Sequence, residues 1–174
     1  MKKIIIPILP LMILLVTNTY SQTAKEKAET IAAEFSKQKN KEKEKNGVTI
    51  EKHRIVEAKT DVRDNTASYA GKYELYGFGR SIVLRQLADN TLEADLTILQ
   101  DNKEVKKAKL KDIKIESALL TATLQYEDGK TVPFEGVFIS RFENGEKTSG
   151  LGIRQVLDLS NGFIVDKAFY KRVE

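Results

Sequence analysis

An alternation of apolar and polar residues, with a period of two, begins after Gly47 and limits the possible folds of this chain to a few. In 91–98 (TLEADLTI) and again in 120–126 (LTATLQY), every second residue is apolar. Successive side chains of a β-strand point to opposite faces of the sheet, so this period predicts strands that are buried on one face. Asp128-Gly129 follows the second stretch, and an Asp-Gly pair between two such stretches is a strong hairpin signal.

The whole of 47–174 divides into short strands without intervening helices. The predicted strands are 48–58, 69–76, 81–87, 91–99, 104–111, 113–116, 118–127, 130–142, 150–159 and 163–173. Strands joined by short turns form an antiparallel meander, and a large twisted sheet of this kind curls or splits. We therefore predict one β-barrel domain over 47–174, with a two-sheet sandwich as the alternative. The apolar phase slips between Leu110 and Ile113, which predicts a bulge near Lys111-Asp112.

Residues 1–21 have the pattern of a secretory signal peptide. Lys2 and Lys3 precede an apolar run from Ile4 to Val16, and small polar residues lead to Ser21. The run has thirteen residues, too few for a helix that crosses a hydrocarbon core of about 30 Å. The sequence thus predicts an exported protein, periplasmic or secreted, with no stable membrane anchor after cleavage behind Ser21. An uncleaved interfacial anchor is the alternative.

The segment 22–46 predicts a charged N-terminal helix and linker. Thr23 and Glu26 have the spacing of a capping box. A narrow apolar stripe follows at helical spacing: Ala24, Ala28, Ile31, Ala32 and Phe35. Such a stripe predicts a helix on the outside, or across one end, of the barrel. The residues 36–46 are nearly all Lys, Glu, Gln or Asn, which is typical of a solvated helix end or linker.

The composition excludes several kinds of site. The chain has no cysteine and one histidine, His53, which excludes disulfides, thiol nucleophiles, iron–sulfur clusters and multi-histidine metal sites. We expect no metal and no cofactor. Loss of Lys2 and Lys3 with the signal peptide leaves 27 of the 29 basic residues against 25 acidic ones. Because the charges nearly balance, the protein has no overall positive potential to attract nucleic acid, and we do not expect nucleic acid as a partner.

No catalytic motif is complete. Gly129-Lys130-Thr131 resembles the end of a phosphate-binding loop, but Leu124 stands where that motif needs its first glycine. The pairs Gly77/Gly79 and Gly150/Gly152 lack the third glycine of a dinucleotide fingerprint, and we interpret them as tight bends or bulges. His53 lies among charged residues, and no Gly-x-Ser-x-Gly motif supplies a nucleophile. We therefore expect that the protein is not an enzyme.

Gly71-Lys72-Tyr73 and the late Arg172 resemble two features of the lipocalin-type barrels, the calycin group. Those families carry Gly-x-Trp near the first long strand and often an arginine late in the barrel; Tyr73 here replaces the tryptophan. The resemblance covers 69–173 and implies a lipocalin-like barrel, with Arg172 over the Tyr73 ring as a cation–π contact. It also implies an interior that takes a small apolar ligand. The inward candidates are Tyr73, Leu84, Leu96, Tyr126, Phe134 and Phe138. The alternative is that these residues form a packed core.

Three functions are compatible with these features. The first is an exported, non-enzymatic barrel that binds a small apolar ligand, and the second is a cell-envelope structural or protein-interaction domain with a filled core. The third is a hydrolase with paired carboxylates. Its candidate acids are Glu127, Asp128, Glu135, Glu143 and Asp158. Lys107, Lys109 and Lys111 also form a local positive row, which suits an anionic glycan or phosphate surface or simply protects an edge strand.

Overall fold

The computed structural model describes residues 22–45, 48–75, 77–100, 103–154 and 167–174. The predicted signal peptide, 1–21, lies outside these residues. The described chain contains helix α1 (Ala24–Ala33) and a 3-10 turn (Thr66–Tyr69). The strands are β1 (Lys37–Lys45), β2 (Val48–Thr60), β3 (Gly71–Leu75), β4 (Arg80–Gln86), β5 (Leu92–Gln100), β6 (Lys103–Glu116), β7 (Leu119–Tyr126), β8 (Thr131–Glu143), β9 (Glu146–Ile153) and β10 (Ala168–Arg172). Within the described ranges, no helix has the length and apolarity needed to cross a bilayer.

Eight strands, β3 to β10, close into an antiparallel barrel. Each strand pairs with the next along the chain, and β10 pairs with β3, where Arg172 lies opposite Tyr73. The predicted meander and barrel are therefore confirmed. The sandwich is excluded because hydrogen-bonded pairing runs around the whole ring, whereas a sandwich has two separate sheets. One side chain of every two along each strand points into the shared core of this ring.

Strands β1 and β2 lie outside the ring and are attached to it through β8. The first half of β8 pairs with β7, and its second half pairs on the same edge with the end of β2. The last of these pairs joins Val56 to Glu143. Strand β1 pairs with β2 over its full length, from Lys37 opposite Val56 to Lys45 opposite Val48.

Strand β1 corrects one prediction from the sequence. The interpretation of 36–46 as a helix end or linker is wrong for Lys37–Lys45, which forms a strand. Beyond Phe35 the chain has no apolar stripe to hold a helix against the barrel, and the lysines of this run recur at every second residue. Strand β2, rich in Val, Thr and Ile, provides an edge that satisfies the backbone N–H and C=O groups of β1.

Helix α1 lies on the outside of the barrel, as predicted. The capping box is present: the Thr23 hydroxyl accepts from the Glu26 N–H at 3.2 Å, and the Glu26 carboxylate accepts from the Thr23 N–H at 3.0 Å. The apolar stripe of the helix packs on the barrel wall in a second core. The members of this core are Ala28, Ile31, Ala32, Phe35, Ala58, Leu119, Val137 and Ile139. The stripe is thus covered by the chain itself.

The predicted bulge is confirmed in β6. The pairing register between β6 and β7 shifts between Lys111 and Lys114, and Asp112 has a φ of +54°. Strand β9 begins earlier than predicted because Asn144-Gly145, with φ values of +52° and +83°, forms a two-residue turn. Strand β3 begins two residues later than predicted because the 3-10 turn occupies Thr66–Tyr69. The predicted strand segments in 155–166 lie outside the described residues.

Candidate functional site

The six residues predicted to line an apolar site all belong to the core inside the barrel. Their exposed fractions are 0% for Tyr73 and Phe138, 2% for Leu84 and Leu96, 4% for Phe134 and 5% for Tyr126. A side chain beside a cavity that admits water keeps accessible surface, even in the protein interior. These residues are therefore packed against other protein atoms, at the density expected of a core. Their role as ligand contacts stays a prediction.

Aromatic rings fill the end of the barrel next to the 3-10 turn. The ring centroid of Phe138 lies 4.3 Å from that of Tyr69 and 5.7 Å from that of Tyr73. The Tyr73 hydroxyl donates to the backbone carbonyl oxygen of Tyr69 at 2.5 Å, so this buried phenol has an acceptor. Ring packing and this hydrogen bond together fix the 3-10 turn across the barrel end.

Two arginines donate hydrogen bonds to the same turn. Arg172 donates to the carbonyl oxygens of Ser68 at 3.1 Å and Ala70 at 2.7 Å, and Arg63 also donates to the Ser68 carbonyl. The predicted cation–π contact of Arg172 with Tyr73 is wrong, because the Arg172 guanidinium is turned to these carbonyl oxygens. The guanidinium that lies over a ring at this end belongs to Arg63, 5.1 Å from the Tyr69 centroid.

The buried tyrosines make the fold sensitive to alkali. Burial raises the pKa of Tyr73 from 10.0 to about 12, and burial also raises the pKa of Tyr69 and Tyr170. A group with a raised native pKa stabilises the fold below its unfolded pKa and loses that contribution as the pH rises toward the native pKa. The free energy of unfolding should therefore fall between pH 10 and pH 12, by at most about 1.4 kcal/mol per pH unit for Tyr73.

Urea unfolding of the wild type and Tyr73→Phe across this pH range measures the effect. The variant has no hydroxyl to ionise at this position, so its stability should decline less steeply with pH. Parallel declines in the two proteins would contradict the assignment to Tyr73.

A cleft of about 690 Å³ lies on the outer wall of the barrel, across β4 to β7. Val83, Asp95, Lys109 and Gln125 lie opposite one another in these four successive strands, so one continuous row crosses the cleft. The volume is within the range of about 300–1,000 Å³ that is typical of small-molecule sites. Other residues of the lining are Arg85, Thr97, Lys107, Ala108, Tyr126, Glu127 and Gly129.

The cleft combines basic groups with oxygen acceptors. Arg85 forms ion pairs with Asp95 and, at 3.4 Å, with Glu93, so both acids of β5 partly balance its charge. Lys107 and Lys109 are exposed on β6, directly opposite Thr97 and Asp95. An ammonium group binds an anion strongly, whereas carboxylate and amide oxygens accept from hydroxyl groups. The arrangement therefore suits a polar ligand that carries both hydroxyl groups and an acid.

A smaller cleft of about 230 Å³ lies on the outer face of β3, β8, β9 and β10. The Arg141 guanidinium lies 4.6 Å from the ring centroid of Phe169, and the buried Nε of Arg141 has no hydrogen-bond acceptor among the described residues. Glu74, Glu143 and Lys171 surround this pair. Because these three residues carry charges of both signs, the smaller cleft favours an anion less than the larger cleft does with Lys107 and Lys109.

The carboxylates considered for a hydrolase do not converge on one described cleft. Glu127 lines the larger cleft and Glu143 the smaller one. Glu135 forms an ion pair with Lys27 of α1 and thereby attaches the helix to the barrel. Asp158 lies outside the described residues, as does the side chain of His53. Among the described residues, no group of three His, Cys, Asp or Glu side chains is placed to hold a metal ion.

The glycine motifs have structural roles. Gly129-Lys130-Thr131 is the end of the β7–β8 turn, where Gly129 has a φ of +83°. Gly77 and Gly79 form the turn between β3 and β4, as interpreted. Gly150 and Gly152 correct the same interpretation: they lie in regular pairs within β9 and allow close packing, with no bend or bulge there.

Sequence reasoning found only part of the larger cleft. It identified Tyr126, Glu127 and the basic row of Lys107 and Lys109, but not Arg85, Asp95 or Gln125. These residues come from strands far apart in the sequence, and only the pairing register brings them into one row. The one sequence signal for Arg85, Asp95 and Gln125 is that each occupies an outward position in the alternating pattern of its strand.

Comparisons were made with protein-family models, with curated proteins and with solved structures, and none of the three finds a match to this chain. The fold described above, an antiparallel barrel of eight strands, is consistent with a lipocalin-like barrel.

Proposed function

We propose that this chain is an exported, non-enzymatic binding protein whose filled barrel serves as a rigid scaffold and whose outer cleft binds an anionic saccharide. The observation that carries the proposal is the row across β4 to β7, which brings Lys109 next to Asp95 and Gln125. The sugar acid is bound by Lys107 and Lys109, and the sugar hydroxyls donate to Asp95 and to the Gln125 amide oxygen.

The lipocalin resemblance implies an apolar ligand inside the barrel. The packed interior instead favours a site on the outer wall. Leu84, Leu96 and Phe138 have at most 2% of their surface exposed, and an apolar molecule of any size needs to displace side chains of this kind to enter. The apolar ligand remains the second candidate, and the experiment below includes a probe for it.

The barrel is also proposed to be of the calycin type. Support comes from the pairing of Arg172 with Tyr73 across the closing strands and from the hydrogen bonds of Arg172 to the 3-10 turn. These contacts join the first and last strands of the ring with the segment that covers its end.

Titration of the protein with an oligogalacturonate, followed by calorimetry, tests the proposed function. The double variant Lys107→Gln/Lys109→Gln should weaken binding roughly 30-fold, because each exposed ammonium contributes about 1 kcal/mol through a charge-assisted hydrogen bond. Lys114→Gln/Lys147→Gln is the matched control: it removes two exposed lysines that do not line the cleft, and it should bind like the wild type.

A neutral oligosaccharide of equal length and a fluorescent fatty acid complete the series. Neither should bind saturably if the cleft recognises the acid group. Equal affinity of the double variant and the control would refute the cleft as the site. Saturable binding of the fatty acid alone would instead favour the apolar ligand inside the barrel.

A further inference from the structure

The hairpin of β1 and β2 continues well beyond the barrel. Residues 48–55 of β2 pair with β1 and, among the described strands, with no other. Because a strand rises about 3.3 Å per residue, these eight positions extend about 26 Å past the last pair with the barrel, Val56 with Glu143. We call the residues 38–45 and 48–55 the arm.

The register segregates the charges of the arm by sign. Residues directly opposite each other in an antiparallel pair share a face of the ribbon. One face carries six basic residues at its register positions: Lys39, Lys41, Lys43, Lys45, Lys52 and Arg54. The three acids of the arm, Glu42, Glu44 and Glu51, occupy positions on the other face.

This segregation of charge destabilises the pairing of β1 with β2 when the arm has no partner. Lys39 lies opposite Arg54, Lys41 lies opposite Lys52, and Glu42 lies opposite Glu51. Like charges directly opposite each other destabilise a strand pair, whereas exchanging a few Lys and Glu residues between the faces would make each pair attractive. A polyanion on the basic face removes the repulsion there, so the charge pattern points to a partner of that sign.

The tip of the arm indicates which polyanion fits best. Val48 and Ile50 lie opposite Lys45 and Lys43, so the basic face becomes partly aliphatic at the end of the arm furthest from the barrel. Residues 38–45 and 48–55 include no Phe, Tyr or Trp, and stacking on aromatic rings is the usual means of binding unpaired bases. A lipid surface, in contrast, takes aliphatic residues below its headgroups and cations at the level of its phosphates.

We propose that the arm docks through its basic face on an anionic phospholipid bilayer. The acids occupy positions on the other face of the ribbon, which lies further from the bilayer by one Debye length, ~8 Å at physiological salt, so screening weakens their repulsion. Docking is a reversible surface contact, and the arm shares no residue with the lining of the cleft on β4 to β7.

Co-sedimentation with lipid vesicles tests this proposal on the folded full-length mature protein. The wild type should bind vesicles rich in phosphatidylglycerol and should not bind vesicles of phosphatidylcholine. In the triple variant Lys39→Gln/Lys41→Gln/Lys43→Gln, the partition coefficient should fall about 100-fold, or about fivefold for each lysine. Thermal unfolding of the variant verifies that the barrel is intact.

The matched control removes three lysines from exposed positions outside the arm: Lys25→Gln/Lys114→Gln/Lys147→Gln. It has the same net charge as the arm variant and should keep most of the vesicle binding. A second variant, Val48→Ser/Ile50→Ser, should weaken binding several-fold at unchanged charge, which a purely electrostatic contact would not do.

Equal losses in the arm variant and the control would overturn the proposal, as would equal binding to both kinds of vesicle. Preferential binding of duplex DNA over the anionic vesicles would assign the arm to nucleic acid instead and would also overturn it. The result is separable from the proposed function, because the Lys107→Gln/Lys109→Gln variant should keep its vesicle binding and the arm variant should keep its saccharide binding.

Discussion

Replacement of Phe138 by alanine is expected to lower the free energy of unfolding by about 4 kcal/mol, within the range known for buried phenylalanines. The Phe138 side chain is fully buried and packs against the rings of Tyr69 and Tyr73. Truncation removes its apolar surface from the core and leaves a cavity that the closed ring of strands cannot collapse to fill. Urea unfolding monitored by circular dichroism measures the change.

Phe142→Ala is the matched control on the same strand. Phe142 lies near the end of β8, beyond the buried Ser140, and is 36% exposed, so its truncation should cost less than about 1 kcal/mol. The cavity in Phe138→Ala should also bind a benzene-sized apolar probe that the wild type does not bind. Similar losses for Phe138→Ala and Phe142→Ala would show that the interior is not packed as described.

The second large effect is expected at Gly150, where alanine should destabilise the protein by about 3 kcal/mol, at the upper end of the cost of overpacking. A Cβ on this residue would overlap the backbone carbonyl oxygen of Tyr170 and approach Cζ of Phe169 to 2.6 Å. Side chains can rotate away, but the Tyr170 carbonyl belongs to β10, and its displacement opens the pairing that closes the barrel.

Ser149→Ala, one residue earlier in β9, controls for the change in composition and should leave the unfolding midpoint nearly unchanged. The double variant Gly150→Ala/Phe169→Ala separates the two clashes. It should recover little stability, because the overlap with the Tyr170 carbonyl remains. Full recovery in the double variant would mean that the aromatic ring, and not the backbone of β10, sets the requirement for glycine.

The strands, the turn at Asn144-Gly145 and the bulge were predictable because each depends on local sequence. The alternation around Leu96 and Leu124 sets which face is buried, and Asn144-Gly145 fixes a two-residue turn through its positive φ angles. The bulge at Asp112 was visible as a slip in the same alternation. These signals require no knowledge of which strands are neighbours.

The features that could not be predicted depend on which residues lie opposite in a neighbouring strand. The charge run 37–45 becomes a strand only because β2 offers it an edge, and Gly150 is required only because β10 passes so close to it. The cleft on β4 to β7 likewise depends on register, since Arg85, Asp95 and Gln125 carry no shared motif. Arg172 bonds to the 3-10 turn, which the sequence assigned partly to a strand.

The barrel core is packed with its own side chains, and we propose that binding takes place on the outer surface of the barrel. A crystal structure of the wild-type protein under xenon pressure tests the packing of the core directly, because xenon enters apolar cavities without chemical selectivity. We predict no xenon among Tyr73, Leu96 and Phe138 in the wild type, and one site in Phe138→Ala crystals treated in the same way. Xenon, or a copurified lipid, between these residues in the wild type would contradict the account.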